Sequence, residues 1–307
     1  MRNFANKLWN ASRYVMMNLA EDAVCALPAT DKLEIADKWV LSKLNTLISE
    51  VTENLEKYEL GVAVSKIYDF VWDTYCDWYI ELTKARLYSE DADRKQTAIS
   101  VLVYVLDQVL RLLHPFMPFI TEEIWQSIPH EGEALIVAQW PAFSQELAFK
   151  TEEDLMESVM NAIRSIRNRR AEMNVSPAKK VNLTVVTAEQ DAFTAGAGFF
   201  QRLASASAVS AIAKEELPKN VVSVVCPCGE AYLPMGELVD AEKEIARLTK
   251  EIANMENEIK RAESKLANES FVARAPQQVV DAEKAKLEKY KAQRDGILDA
   301  LKAIEGK

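Results

Sequence analysis

Val101-Leu102-Val103-Tyr104-Val105-Leu106-Asp107-Gln108-Val109-Leu110-Arg111-Leu112-Leu113-His114-Pro115-Phe116-Met117-Pro118-Phe119-Ile120 is the most hydrophobic run of the chain. Whether it crosses a membrane or fills a core decides the fold. Asp107, Arg111 and His114 interrupt it, and Pro115 and Pro118 stop it as a helix, so it reads as a buried core helix that ends in a turn.

Upstream of that run the pattern is helical throughout. Phe4, Leu8, Ala11, Val15 and Leu19 recur at three- and four-residue spacing and make one apolar face of an opening helix. Asn3, Lys7, Asn10 and Tyr14 fall on a different, polar face, with Arg13 beside them. Further helices are expected over 31–57, 60–88, 94–113 and 119–126, with Pro28, Ser89 to Asp93 and Thr121 supplying turn or capping chemistry. Such a pattern makes a helical bundle.

The middle of the chain changes character. A helix over 152–173, basic toward its end, gives way to a short alternating strand, Val181 to Val186; a helix near 190–205 comes next, then β-rich runs over 208–213, 221–226 and 232–235. The tail changes again. Leu238, Ile245, Ile252, Ile259 and Leu266 repeat every seven residues, and Ala241, Leu248, Met255 and Ala262 fill the second apolar heptad position. Asn268 to Pro276 breaks the helix. A second heptad run then places Val280, Leu287 and Leu301 at one position and Tyr290, Ile297 and Ile304 at the other. Two such helices joined by a short loop form an antiparallel hairpin, each arm of roughly 30 residues reaching on the order of 45 Å. The expected fold class is mainly α: a helical bundle over 1–145, a small α/β module over 146–236 and an antiparallel coiled-coil hairpin over 237–307.

Composition narrows the function. Only 8 glycines occur in 307 residues, and phosphate-cradling loops need glycine where the backbone takes positive φ or approaches a ligand closely, so a nucleotide-binding enzyme is a poor fit. The net charge of −10 is unevenly spread: residues 1–160 carry 14 basic and 26 acidic side chains, but 161–180 carry 6 and 1. A concentrated basic segment in an acidic chain steers a polyanion to one place. Cys25, Cys76, Cys226 and Cys228 accompany no secretory leader and are expected as free thiols in a reducing cytoplasm.

Individual residues with chemical potential are few. His114 reads as a packed, hydrogen-bonded core residue and His130 as a loop residue. Cys226-Pro-Cys228 lacks the two further ligands a zinc site needs, so no metal is expected. Asp69, Asp73, Asp77 and Glu81, four apart, read as a solvated face that would repel phosphates and should point away from any bound RNA. Arg164, Arg167, Arg169, Arg170, Lys179 and Lys180 are candidates for a nucleic-acid backbone; the alternative is a basic helix surface pairing with the acidic bundle. Lysines and arginines between 243 and 274 alternate with glutamates, as on an ordinary solvated coiled coil.

Three stretches carry a family resemblance. Arg2-Asn3-Phe4-Ala5-Asn6-Lys7-Leu8-Trp9-Asn10-Ala11 resembles the helix that opens the anticodon-binding bundle of valyl-tRNA synthetases. Leu113 to Trp125 resembles a signature near that bundle's end, shared with the isoleucyl and leucyl enzymes. Lys265-Leu266-Ala267-Asn268-Glu269-Ser270-Phe271-Val272-Ala273-Arg274-Ala275-Pro276 is similar to the hairpin turn of the valyl enzymes' C-terminal coiled coil. The resemblance implies a bundle that reads the valine anticodon and a coiled coil that packs on the tRNA elbow. On that basis Arg2, Asn3, Lys7, Asn10 and Arg13 are anticodon-facing candidates, the alternative being a face that abuts a catalytic body. Lys260, Arg261, Lys265 and Arg274 are elbow candidates. The HIGH and KMSKS motifs of the catalytic domain do not occur in the sequence. The chain therefore resembles a fragment that begins after that domain: it should neither bind ATP or magnesium, which belong to the parent's catalytic domain, nor aminoacylate. The expected partner is valine tRNA, with no membrane or DNA, for a monomeric, cytoplasmic protein; the alternative is a helical scaffold whose arm docks proteins.

Overall fold

The computed structural model describes residues 2–19, 25–187, 193–194, 196–212, 221–226, 229–238, 241–267 and 277–305. The bundle comprises α1 (Arg2–Met16), α2 (Ile35–Glu56), α3 (Leu60–Asp69), a π-helical segment (Phe70–Tyr79), α4 (Ile80–Leu87), α5 (Ala92–Leu113) and α6 (Pro118–Trp125). α5 takes up the helical part of the most hydrophobic run and extends it at the N-terminal side. Asp91 caps it by accepting the Arg94 backbone N–H at 3.1 Å, and Val101, Leu102, Val103, Val105, Leu106, Val109 and Leu110 are all buried among the other helices.

Two buried carboxylates tie these helices together. Asp37 accepts both guanidinium arms of Arg86 at 2.6 and 2.5 Å and the Tyr79 hydroxyl at 2.7 Å, joining α2 to α4 and the π segment. A fully buried carboxylate persists only when so satisfied. The pairing holds the Arg86 guanidinium above its ordinary value despite desolvation, which acts the other way. Asp107 of α5 accepts the Trp125 indole N–H at 2.7 Å and Arg111 at 2.9 Å, fixing α6 and the chain beyond it. The structure corrects one capping assignment: Pro118 opens α6, while Thr121 lies buried inside it, 2.8 Å from His114 Nδ1 and donating back to the Met117 carbonyl. His114 is thus half-buried and hydrogen-bonded.

α7 (Lys150–Glu172) runs from the bundle to the sheet. Its first turns pack on α2, with Glu152 3.0 Å from Lys38 and Glu153 2.7 Å from Ser42. Its end meets a four-stranded sheet of β1 (Val181–Thr187), β2 (Ala206–Ile212), β3 (Val221–Cys226) and β4 (Gly229–Pro234), in the order β2-β1-β4-β3. β1 and β2 are parallel and need a crossover, which includes α8 (Ala197–Leu203); β4 pairs antiparallel with both β1 and β3. Gly229 has φ +149°, and a Cβ there would fall 2.1 Å from the Val186 carbonyl oxygen, so the start of β4 requires glycine.

A short helix, α9 (Met235–Leu238), leads to α10 (Ala241–Ala267) and α11 (Gln277–Glu305), which pack along each other. Lys265 meets Glu283 at 3.1 Å and Glu263 meets Lys291 at 3.1 Å, the reversed order that antiparallel helices give. Ile259, Ala262 and Val280, all heptad positions, are buried between them. The expected turn over 268–276, Arg274 included, lies outside the described residues, as does Cys228.

Candidate nucleic-acid interface

α1 holds three basic residues and no acidic one, in a chain of net charge −10. Its buried side, Phe4, Leu8, Ala11, Ser12 and Val15, seats it on the bundle. The opposite side presents Arg2, Asn6, Trp9 and Arg13 at i, i+4, i+7 and i+11, with Asn3 and Asn10 alongside, all exposed. Among the described residues, neither Arg2 nor Arg13 has a hydrogen-bonding or ion-pairing partner. Lys7 differs from the other candidates. Its ammonium lies 2.6 Å from Asp77 and 3.8 Å above the Trp72 ring, and Trp72 continues a stack through Tyr68 to Phe4 with centroid separations of 5.5 and 4.9 Å. It anchors α1 to the π segment rather than standing open with Arg2 and Arg13.

The acidic ladder is exposed at Asp69, Asp73 and Asp77 and half-buried at Glu81, as expected of a solvated face, but it is not remote from the basic groups. Asp77 faces α1, and Asp77 and Glu81 share the wall of a cleft of about 810 Å³ with Arg167, Asn168, Asn174 and Arg202, so the ladder does not point away from the basic groups. Asp69 and Asp73 line a second depression, about 380 Å³, beside Lys43 and Lys66.

The basic end of α7 resolves into different roles. Arg170 is buried and is corrected from a backbone-binding candidate to a structural one. Its guanidinium donates to the carbonyls of Ala204, Ser205, Ser176 and Lys179 at 3.1, 3.3, 3.2 and 2.5 Å, pinning two loops of the α/β module to α7. Burial pulls it below the ordinary arginine value. Asn174 and Ser205, with φ of 55° and 53°, sit in the loops so held. Arg164 donates to Asn161 at 2.8 Å and lies 4.8 Å over the Trp78 ring, and Arg169 pairs with Glu172 at 3.1 Å. Arg167 and Lys180 are exposed and Lys179 is half-exposed. Arg202, which the sequence pattern did not single out, joins Arg167 in the cleft.

On the arm, Arg261 pairs with Glu258 at 2.5 Å and Lys265 with Glu283 at 3.1 Å, while Lys260 is exposed without an ion pair among the described residues. All three border a groove of about 830 Å³ between α10 and α11, completed by Lys286 and Tyr290. The hydrogen bond from Lys265, reinforced by Lys286, holds Glu283 below the usual carboxylate range. No group of three or more metal-ligating side chains occurs among the described residues.

Exposed aromatics were the feature sequence reasoning missed. Trp9, Tyr58, Tyr88 and Phe119 present ring surface to solvent, and the legible signal for Trp9 was its phase, i+7 from Arg2.

Residues 37–187 match the family described as the anticodon-binding domain of tRNA ligase, and residues 240–305 match the valyl tRNA synthetase tRNA binding arm. The valine--tRNA ligase of Clostridium tetani (strain Massachusetts / E88) is 50% identical over 306 residues, 99% of this chain and 35% of that protein. Those of Clostridium perfringens (strain 13 / Type A) and Bacillus anthracis are 48% and 42% identical, again over 99% of this chain and 35% of theirs. The chain thus spans about a third of the length of the curated relatives it matches.

Proposed function

Since this chain belongs to the valyl-tRNA synthetase family, in the region of its anticodon-binding domain and tRNA-binding arm, we propose that it grips valine tRNA at the anticodon loop and the elbow. The observation that carries this reading is α1: an acid-free helix in an acidic chain, whose outer side sets exposed arginines, unpartnered among the described residues, beside asparagines and a partly exposed indole. Arginines neutralise phosphates, amides read base edges, and rings stack on unpaired bases, which is how single-stranded loops are recognised. The anticodon-domain match begins at residue 37, so the assignment of Arg2, Asn3, Asn10 and Arg13 to the anticodon rests on this geometry. Lys7 contributes by seating the helix. Arg167, Lys179 and Lys180 are assigned to the tRNA backbone, and Lys260, Arg261 and Lys265 to the elbow.

Within a complete ligase such contacts raise tRNA affinity and orient its acceptor end, so that valine can be attached elsewhere in the enzyme. ATP and magnesium would act there, and the present residues carry no step of that chemistry. The protein would work as a monomer in the cytoplasm, without membrane or DNA. A scaffold that docks proteins through its arm is less well supported, because it leaves the acid-free α1 without a role.

Titration with tRNA carrying a valine anticodon tests the proposal. Affinity should fall steeply with salt and weaken when the anticodon is substituted; binding that ignores the anticodon, or none, overturns it. ATP–pyrophosphate exchange with valine should give no turnover from this chain.

A further inference from the structure

The protein has six tryptophans, and the fold accounts for five. Trp39 is buried; Trp125 is buried and donates to Asp107; Trp140 donates to Thr52; Trp72 lies under Lys7, and Trp78 under Arg164. Trp9 is 38% exposed and has no hydrogen bond, ring contact or overlying cation among the described residues. It projects from the same side of α1 as Arg2, Asn6 and Arg13, within one or two turns of each. The part of the Trp9 ring left open to solvent is apolar area that a flat partner ring can cover with a gain in free energy. Charge chooses the cover: the flanking side chains are cationic or neutral amides, with no carboxylate on the helix, which suits a polyanion bearing flat unsaturated rings.

We infer that Trp9 is the stacking residue of the α1 interface, taking the face of one unpaired nucleobase while Arg2 and Arg13 hold the adjoining phosphates. The inference rests on the proposed tRNA-binding reading and names a residue that does part of the work. It also separates two contributions to affinity. Stacking has little salt dependence and needs an unpaired base; the arginine contacts are salt-dependent and tolerate a duplex.

The test measures the affinity of the full 307-residue chain for two RNAs: a stem–loop carrying the valine anticodon, and its stem closed as a plain duplex. Trp9→Ala and Trp9→Leu should each weaken stem–loop binding by roughly 5- to 100-fold, the range of a base–aromatic stack, and leave duplex binding unchanged. Trp9→Phe should stay within about threefold of the parent. The slope of log affinity against log salt should be unaltered in Trp9→Ala and reduced by about 0.7–0.9 in Arg13→Ala. Trp9→Leu keeps apolar bulk without a π face, so retained stem–loop affinity in that variant overturns the stacking role. Equal losses on stem–loop and duplex do the same. If the parent chain itself fails to bind the stem–loop, the tRNA-binding proposal fails and this inference with it; a loss-free variant beside a binding parent sinks the inference alone.

Discussion

Helix α1 and the C-terminal half of α7 both look basic in sequence, with Arg2, Lys7 and Arg13 on one and Arg164, Arg167, Arg169 and Arg170 on the other. In the fold they part company. α7, the denser cluster, has one arginine buried against four carbonyls, one paired with Glu172 and one lying on Trp78. α1, the sparser, keeps Arg2 and Arg13 exposed and unpartnered among the described residues. Charge density along a chain counts cations; what a polyanion meets is the number of donors that the fold has not already engaged.

Four experiments put that contrast at risk. Arg170→Met should destabilise most, by about 2 kcal/mol or more, because it takes a donor from four carbonyls at once; equal urea midpoints for variant and parent would put Arg170 back among the surface cations. Next are the two partly buried thiols. Burial pushes the thiols of Cys76 and Cys25 up to about 12, and for Cys76 Lys7 pulls the other way. The folded state therefore favours the protonated thiol. That contribution is intact below the ordinary thiol value near 9 and is lost as pH rises from there toward 12. The loss should be on the order of 1 kcal/mol per thiol at pH 10. Urea unfolding at pH 8 and pH 10 reads it, and Cys76→Ala should lose less over that interval; an identical loss would mean that the Cys76 thiol is not shielded by the packing around it.

Arg13→Ala should leave melting unchanged and weaken tRNA binding about fivefold near 0.1 M salt. Wild-type affinity in that variant would remove α1 from the interface. The smallest effect belongs to Arg169→Ala, where affinity should stay within about twofold because Glu172 already neutralises that side chain. A loss matching that of Arg13→Ala would show that the pair opens to admit phosphate and that the contrast is one of degree.

The helices, the strands and the two-helix arm were legible because they rest on periodicity, and apolar spacing of 3.6, 2 or 3.5 survives in any single sequence. Ile259, Ala262 and Val280 sit where the heptads put them. What stayed hidden was long-range. Arg170 meets carbonyls at 176, 179, 204 and 205, in loops whose approach no local pattern encodes. Lys7 and Asp77 are 70 residues apart in sequence, so no local pattern shows that one member of a solvated ladder also seats α1. Trp9 was hidden differently: an apolar residue type is scored as core by default, and only its position relative to Leu8 and Val15 reveals that it faces out.

The π-helical winding of residues 70–79 also sets a limit on chain length. Deleting one residue there would let the backbone tighten to ordinary α geometry with its hydrogen-bond ladder whole. Because π winding turns less per residue than α winding, the phase between α3 and α4 depends on the winding of this segment together with its residue count. Tyr68 and Trp72, which hold Phe4 and Lys7, fix the phase this segment has to keep for the opening helix to stay seated. In this stretch the count of residues matters as much as their identity.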